Sequence, residues 1–533
     1  MANPDKLLRL NDYVRLERAQ RNKDGSTFHY DASTGRVTNL PEYFAAHADP
    51  NIYTVRFPLW TTSNSTQSVK LDDNAGLSIV PSTNTVSGRD DYRSLPAFRV
   101  WDVNGGVDDA GNPFVTAIKD KAGTWSADGS HGDALVMTAT GFYRLQLDSQ
   151  YMTLSYSGVQ YDGFVPMPGA MLPDGTLRPC MLFAKYRAWC DGSGIPHSFT
   201  GKQTSTAFGS QNGCIDQAAK KGKGWSGKTV ADTWYIQLMH MLKYADRNIE
   251  NTLGGDFGGN GQITISKAEA NVTRALVKTT DAQYIDVGSY ISVGSGTDRG
   301  DPKVGEAASW RKVLSKTVVD SVTTAINVAG SKFTTTTAMH VTQMPWPTGA
   351  TDGVLGTDGY ATDAIPRSHQ PIRIQGIEIF TGVYEVESDV ILNNVKDSDT
   401  AGHTEIWKVF DVTKASKSAI TSDYVHLGDF PAVTDKTNNN WQYAKGFTFS
   451  HGMTIPTEWG GTSTSGLSDA TLINPISNPG LHELLRGGNL LGGSRCGLFC
   501  SGCGSGLAHT LVALRRPPID PRPDEGVARI RWG

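Results

Sequence analysis

Cys496, Cys500 and Cys503 stand in a C-x3-C-x2-C arrangement, the kind of spacing with which three thiolates hold three irons of a cubane cluster. The radical chemistry such clusters serve needs a barrel built after the motif, and only residues 504–533 follow. A structural zinc site would need a fourth ligand, for which His509 is the nearest candidate. The plainer reading is three small, semi-buried residues in a glycine-rich loop. Glu385 and Glu387 lie two positions apart, so on a strand both carboxyl groups share one face, as a glycoside-cleaving pair would. His131, His197, His240, His403 and His451 are scattered singly. Asp102-Val-Asn-Gly-Gly-Val-Asp-Asp gathers oxygen ligands as a calcium loop does. It lacks the sixth-position glycine and the late glutamate, so an Asx-rich hairpin turn is the simpler expectation. Arg299-Gly-Asp301 reads as a surface loop. A nucleophile elbow, an H-E-x-x-H pair and a phosphate-binding loop are not expected. The residues therefore point to no catalytic group, no metal and no cofactor.

Composition narrows the partners. The formal net charge is −4, and the densest basic run, Lys220, Lys221 and Lys223, is too short for a nucleic-acid footprint. No apolar run is long enough to cross a bilayer. Met1–Leu10 is polar and mixed in charge, unlike a secretory leader. The expectation is a chain folded in a cytoplasm with its six cysteines as thiols, and with neither nucleic acid nor membrane as partner.

The 533 residues allow roughly three or four domains. The 58 glycines and short β-branched runs favour β-rich domains with many loops. Residues 1–25 read as an arm that needs a partner surface. Over 26–165 the pattern alternates, as in Tyr53–Trp60 and Tyr143–Leu147, with turns at Asn104-Gly105 and Asp128-Gly129. A Pro/Gly joint follows at 165–175. A short helix is expected near Cys214–Lys221. The strongest helix is expected from an N-cap at Thr229 to about Leu253, closed by Gly254-Gly255, with Trp234, Leu238, Met241 and Leu242 at helical spacing. Residues 257–368 turn rich in Thr, Val, Ser and Gly and read as an inserted small β domain with a barrel-like form, including strands at Tyr284–Val287 and Tyr290–Val293. The last stretch, 517–533, is an extended tail.

Three segments together resemble the formylglycine-generating-enzyme-like branch of the C-type lectin fold, which includes the variable target-binding proteins of phage diversity-generating retroelements. The first runs Ile215–Trp225, Thr233–Leu238 and Lys243–Gly255, where the family places two helices and anchors the second with a tryptophan, here Trp234. The second is Gly376-Ile-Glu378 through Thr381-Gly-Val-Tyr-Glu385, similar to the family's G-(I/M)-E … G-N-V-W-E strand. The third, Leu485-Arg486-Gly487-Gly488-Asn489, is similar to the R-G-G-S that opens the last strands. Asn stands where the family has Ser, and the closing Gly-Phe-Arg is blurred to Ala513-Leu-Arg515.

The resemblance implies an α+β fold: a C-type-lectin-like domain in two parts, 166–256 and 369–516, around the 257–368 insertion and behind a β-rich docking domain. It implies structural roles for Trp234, Glu378, Glu385, Arg486, Gly487 and Gly488. It also implies a displayed binding face over 489–510, with Asn489, Arg495, Leu498, Phe499, Ser501 and His509 as contact residues and Trp459 as an aromatic anchor. The function implied is that of a phage virion protein, a tail fibre or receptor-binding subunit that is not an enzyme. Its expected partners are a host-surface receptor (protein or glycan), other virion proteins, and copies of itself, a trimer being favoured because fibres are built by symmetry. Two rival expectations stand beside it. One is a purely structural capsid or tail decoration protein. The other is a copper-dependent oxidase using Cys496 and Cys500, since the family's enzymes bind copper through a cysteine pair just after the R-G-G-S motif. Here the pair lies further from Arg486-Gly-Gly and is spaced one residue tighter.

Overall fold

The structure, a computed structural model, describes the chain except for residues 1–24, 60–67, 110, 173–174, 204–209, 256–261, 297–304, 381, 383, 438–439, 489–491, 505–506, 508–529 and 533. The expected arm at 1–25 and most of the 517–533 tail therefore lie outside the described residues, as does the Arg299-Gly-Asp301 tripeptide. The one described piece of the tail, Ile530–Trp532, pairs antiparallel with Trp225–Gly227.

Strands account for 42% of residues and helices for 12%. The α+β expectation is overturned: the fold is β-rich. Its described helices are α1 (Leu40–Ala46), α2 (Gln211–Lys221) and α3 (Val230–Tyr244). The expected long helix is shorter than its pattern because Ala245 takes a left-handed conformation (φ 53°) and its N–H caps Met241 O. The chain breaks there, well before Gly254-Gly255. Its start is as expected from the residues: Thr229 and Asp232 form a reciprocal capping box.

Two N-terminal sheets come first. One has the order Val165–Pro166, Phe142–Leu147, Tyr151–Ser157, Tyr53–Pro58, Val69–Asp72, and the other Cys180–Ala184, Ala134–Ala139, Val100–Val107, Pro113–Ile118. Asn104-Gly105 lies inside the Val100–Val107 strand rather than at a turn. Asn104 is buried there and donates to the carbonyls of Ser126 (2.8 Å) and Asp133 (3.0 Å). Residues 262–344 close into a six-stranded antiparallel barrel with its own core of Ile263, Ile265, Val277, Ile291, Val293, Ile326 and Val341. The Tyr284–Val287 segment expected as a strand is instead entered by a short 3-10 turn at Ala282–Tyr284.

The C-terminal part forms an eight-stranded sheet. Its order is Tyr424–Val433, Ala401–Val409, Glu385–Ser398, Gly480–Gly487, Gly497–Cys503, Ala470–Leu472, Trp441–Ser450, Met453–Trp459. The two outer strands curl toward each other, and Trp459 Nε1 bridges them by donating to Pro431 O at 2.9 Å. One hydrophobic core joins this sheet, α3 and the N-terminal sheets: Val55, Leu154, Met181, Trp234, Ile374 and Phe499 all belong to it. The joint at 165–175 thus does not separate two cores.

Candidate functional site

Around the N-terminus of α3, Glu385, Glu387, Asp389 and Arg486 of the sheet meet Lys228, Val230 and Thr233. Glu385 and Arg486 are register partners on adjacent strands. Glu385 forms ion pairs with Lys228 and with Arg187 (3.2 Å), and Glu387, two positions on, takes Arg486 Nε at 3.2 Å and the Thr233 hydroxyl. Asp389, two further, binds Lys408 and accepts the Val230 N–H at 3.0 Å. All of these side chains are buried. Period-two spacing thus puts Glu385 and Glu387 on one side of the Glu385–Ser398 strand, an irregularity in the pairing after Glu387 brings Asp389 beside them, and each carboxylate is matched by a cation. A buried charge persists only when it is paired in this way. The cavity beside them holds about 20 Å³, room for about one water molecule. Glu385 and Glu387 are therefore ion-paired inside the protein rather than displayed to a substrate.

Trp234 is 1% exposed and stands edge-on to Tyr143 and tilted against Phe449, at 5.6 and 5.2 Å between ring centres, so it ties the N-terminal sheet to the C-terminal one. Glu378 accepts hydrogen bonds from Gly349 N, Thr351 N and Thr351 Oγ1 at 2.8–2.9 Å and so pins the chain just after it leaves the barrel. Burial, the largest cause, pushes its carboxyl above the usual range. Gly487 has φ 87°; Gly488 has φ 148°, and a Cβ there would lie 2.1 Å from Cys496 Sγ, so a glycine is required.

The expected display of 489–510 needs correction. Asn489 and His509 lie outside the described residues. Leu498, Phe499 and Ser501 are buried, at 6%, 3% and 3% exposure. They sit in the Gly497–Cys503 strand, paired on one side with Gly480–Gly487 and on the other, in parallel, with Ala470–Leu472. Gln237 of α3 donates to Leu498 O at 2.7 Å, Phe499 N donates to Asp469 at 2.7 Å, and Ser501 shares a hydroxyl contact with Thr471 at 3.0 Å. What reads as a displayed, glycine-rich loop is an inner strand buried at every position. Arg495 alone of the described contact residues keeps partial exposure, its guanidinium 5.1 Å from the Trp441 ring centre. Trp459 is half-buried at the seam between the outer strands and serves it as a bridge.

The described cysteines are free thiols. Burial pushes Cys503 up to about 12 and Cys500 well above its ordinary value, which disfavours the thiolate that attacks substrates or holds metals. No group of three or more His, Cys, Asp or Glu side chains among the described residues has metal-holding geometry. Asp102, inside the Val100–Val107 strand, pairs with Lys185 at 2.6 Å.

One motif escaped the sequence reading. Gly222-Lys-Gly-Trp-Ser-Gly-Lys-Thr229 fits the phosphate-loop pattern G-x4-G-K-[ST]. The structure assigns it another job. Lys228 is buried against Glu385, the helix N-terminus is already met by Asp232 and Asp389, and a Cβ at Gly227 would press on Ser388 at 3.1 Å. Carboxylates occupy the place a phosphate would need. Sequence reasoning also missed Arg187, Lys228 and Lys408, because nothing local announces a cation whose partner lies far along the chain.

No family model matches the chain, and no curated protein does.

Proposed function

We propose that the chain is a phage virion attachment protein, a tail-fibre or receptor-binding subunit that acts by binding rather than catalysis. The observation that carries this reading is the convergence of the three lectin-like segments. Trp234 from the first lies in the central core, Glu385 from the second and Arg486 from the third are register partners within one charge network, and Glu378 pins the chain that leaves the barrel. Such a rigid, charge-locked sheet suits recognition, since a fixed surface loses little entropy on binding. The reacting groups of an enzyme find little support: the paired carboxylates and most thiols are sequestered, and the cavity beside them admits no substrate.

Of the implied contact residues, Arg495 is the one with a displayed neighbourhood. Beside it stand Trp441 and Tyr443, whose hydroxyl donates to Ser494 O at 3.4 Å. The test is a pull-down of the full chain on intact candidate host bacteria beside an Arg495→Ala, Trp441→Ala double variant. Binding by the wild type that the double variant loses supports attachment through this region. A folded wild type that binds no candidate host leaves the decoration-protein alternative as the better reading.

A further inference from the structure

The opposite side of the eight-stranded sheet carries a second, unassigned constellation. Exposure alternates along Ala401–Val409, turning His403, Glu405 and Trp407 outward while Thr404, Ile406 and Lys408 face the core. Residues two apart on a strand stand ~7 Å from each other, so these three form a row. The neighbouring strands extend it sideways: Asn393 and Asp429 flank Glu405, and His426 flanks Trp407.

The row is pre-set by its own contacts. Glu405 Oε2 accepts both Asn393 Nδ2 (2.7 Å) and Trp407 Nε1 (2.9 Å), which fixes the carboxylate and leaves Oε1 open. His403 Nδ1 meets Asp397 at 2.8 Å, and His426 Nε2 meets Asp429 Oδ1 at 2.7 Å. Among the described residues, His403 Nε2, His426 Nδ1 and Asp429 Oδ2 are left to outside partners. The Trp407 and His426 rings lie 4.8 Å apart at 31°, and Trp407 is braced from the side, on the same face, by the small cluster around its cross-strand partner Ile391. His403 and Asp429 also line an open depression of about 460 Å³, together with Pro431, Ala432, Thr457 and the backbone at Phe430.

This combination has a chemical counterpart. A sugar ring offers C–H groups that rest against the negative face of an aromatic ring. It also offers closely spaced hydroxyls that satisfy fixed acceptors and imidazole nitrogens. An open site with an aromatic pair and a few convergent polar groups suits such a ligand. The three carboxylates Asp397, Glu405 and Asp429 make the face acidic, which disfavours an acidic sugar.

We propose that this face binds a neutral glycan, the Trp407–His426 pair packing against the sugar's C–H surface while Glu405 Oε1 and Asp429 Oδ2 accept its hydroxyls. That the glycan belongs to a host surface rests on the attachment reading; the recognition chemistry rests on the face alone.

The experiment exposes the full chain, Glu405→Gln and Trp407→Phe to an array of neutral, N-acetylated and uronic-acid oligosaccharides, with thermal melts to verify folding and cell pull-downs run in parallel. The expected result is binding to at least one neutral glycan, weakened about tenfold by Glu405→Gln and reduced by Trp407→Phe, with folding intact. Wild type that adheres to cells but binds no neutral glycan overturns the glycan proposal and leaves attachment standing. Glycan binding that Glu405→Gln does not change, or binding confined to uronic acids, also overturns it. Neutral-glycan binding lost in Glu405→Gln without any adhesion to cells supports the site while sinking the attachment reading.

Discussion

Gly497–Cys503 and Ala401–Val409 lie three strands apart in one sheet and have opposite fates. The first is buried at every position; the second alternates. Phe499 joins the core that contains α3, and Cys500 packs into a separate small core with Ala184, Ala188 and Cys214. Ala401–Val409 has a core beneath it, of Ile406 with Phe430 and Ile455, while on its other face His403, Glu405 and Trp407 keep partial exposure beside a small cluster of Ile391, Val409 and Tyr424. The contrast teaches that display depends on how many layers cover a strand, not on whether its residues look like surface residues. Glycine and serine fit the crowded inner strand because they take little room, whereas tryptophan and glutamate stand on the outer face.

The largest effect that tests this contrast is a truncation on the inner strand. Phe499→Ala is expected to lower the unfolding free energy by ~3–5 kcal/mol, the range for a large aromatic removed from a packed core. Glu405→Gln on the outer strand is expected to stay within ~0.5 kcal/mol, as surface changes do. Chemical denaturation of both variants measures it. A Phe499→Ala variant as stable as wild type would break the comparison and return that strand to a displayed role.

α3, which packs on the inner strand, and the outer strand hold histidines with opposite titration. His240 in α3 is wholly buried, its Nε2 2.7 Å from Thr252 Oγ1, and burial drives it down to about 3. The unfolded chain takes up this proton near 6.5 and the folded chain only near 3. Stability is therefore lost as pH falls through that interval, by ~1.4 kcal/mol per unit. Wild type minus His240→Gln, followed by denaturation from pH 7 to pH 3.5, isolates this slope. A difference that stays flat with pH means that His240 is solvated.

Much of this architecture was legible. The N-cap at Thr229, the Thr- and Val-rich strands of the barrel and the one-sided Glu385/Glu387 pair follow from local chemistry and period two. Where α3 ends was not legible, because a left-handed alanine carries no sequence mark. The inner strand was misread because Gly497, Ser501 and Gly502 erase the apolar pattern by which strands are found. The phosphate-loop pattern at Gly222–Thr229 went unnoticed, and only tertiary partners, Glu385 and Asp389, decide against its usual meaning. His403, Glu405 and Trp407 alternate visibly, but their significance comes from Asn393, His426 and Asp429 on neighbouring strands.

The smallest expected effect sharpens the comparison most finely. Asp397 accepts from or pairs with His403 at 2.8 Å, and this contact, ahead of the weaker pull of Asp429 and Glu405, raises the imidazole above its ordinary 6.5. A raised folded value stabilises the protein below the unfolded value, and the gain disappears as pH rises through the folded one. The sign is therefore the reverse of that for His240. Because the pair sits at the surface, solvent screens it and the stability change is slight; the readable quantity is the titration itself. In Asp397→Asn the His403 ring resonances followed by NMR should titrate at lower pH than in wild type, with His240 silent over the same range. An unchanged His403 midpoint would mean that Asp397 does not orient the imidazole, and the outer row would lose one of the contacts that hold it in place for a ligand.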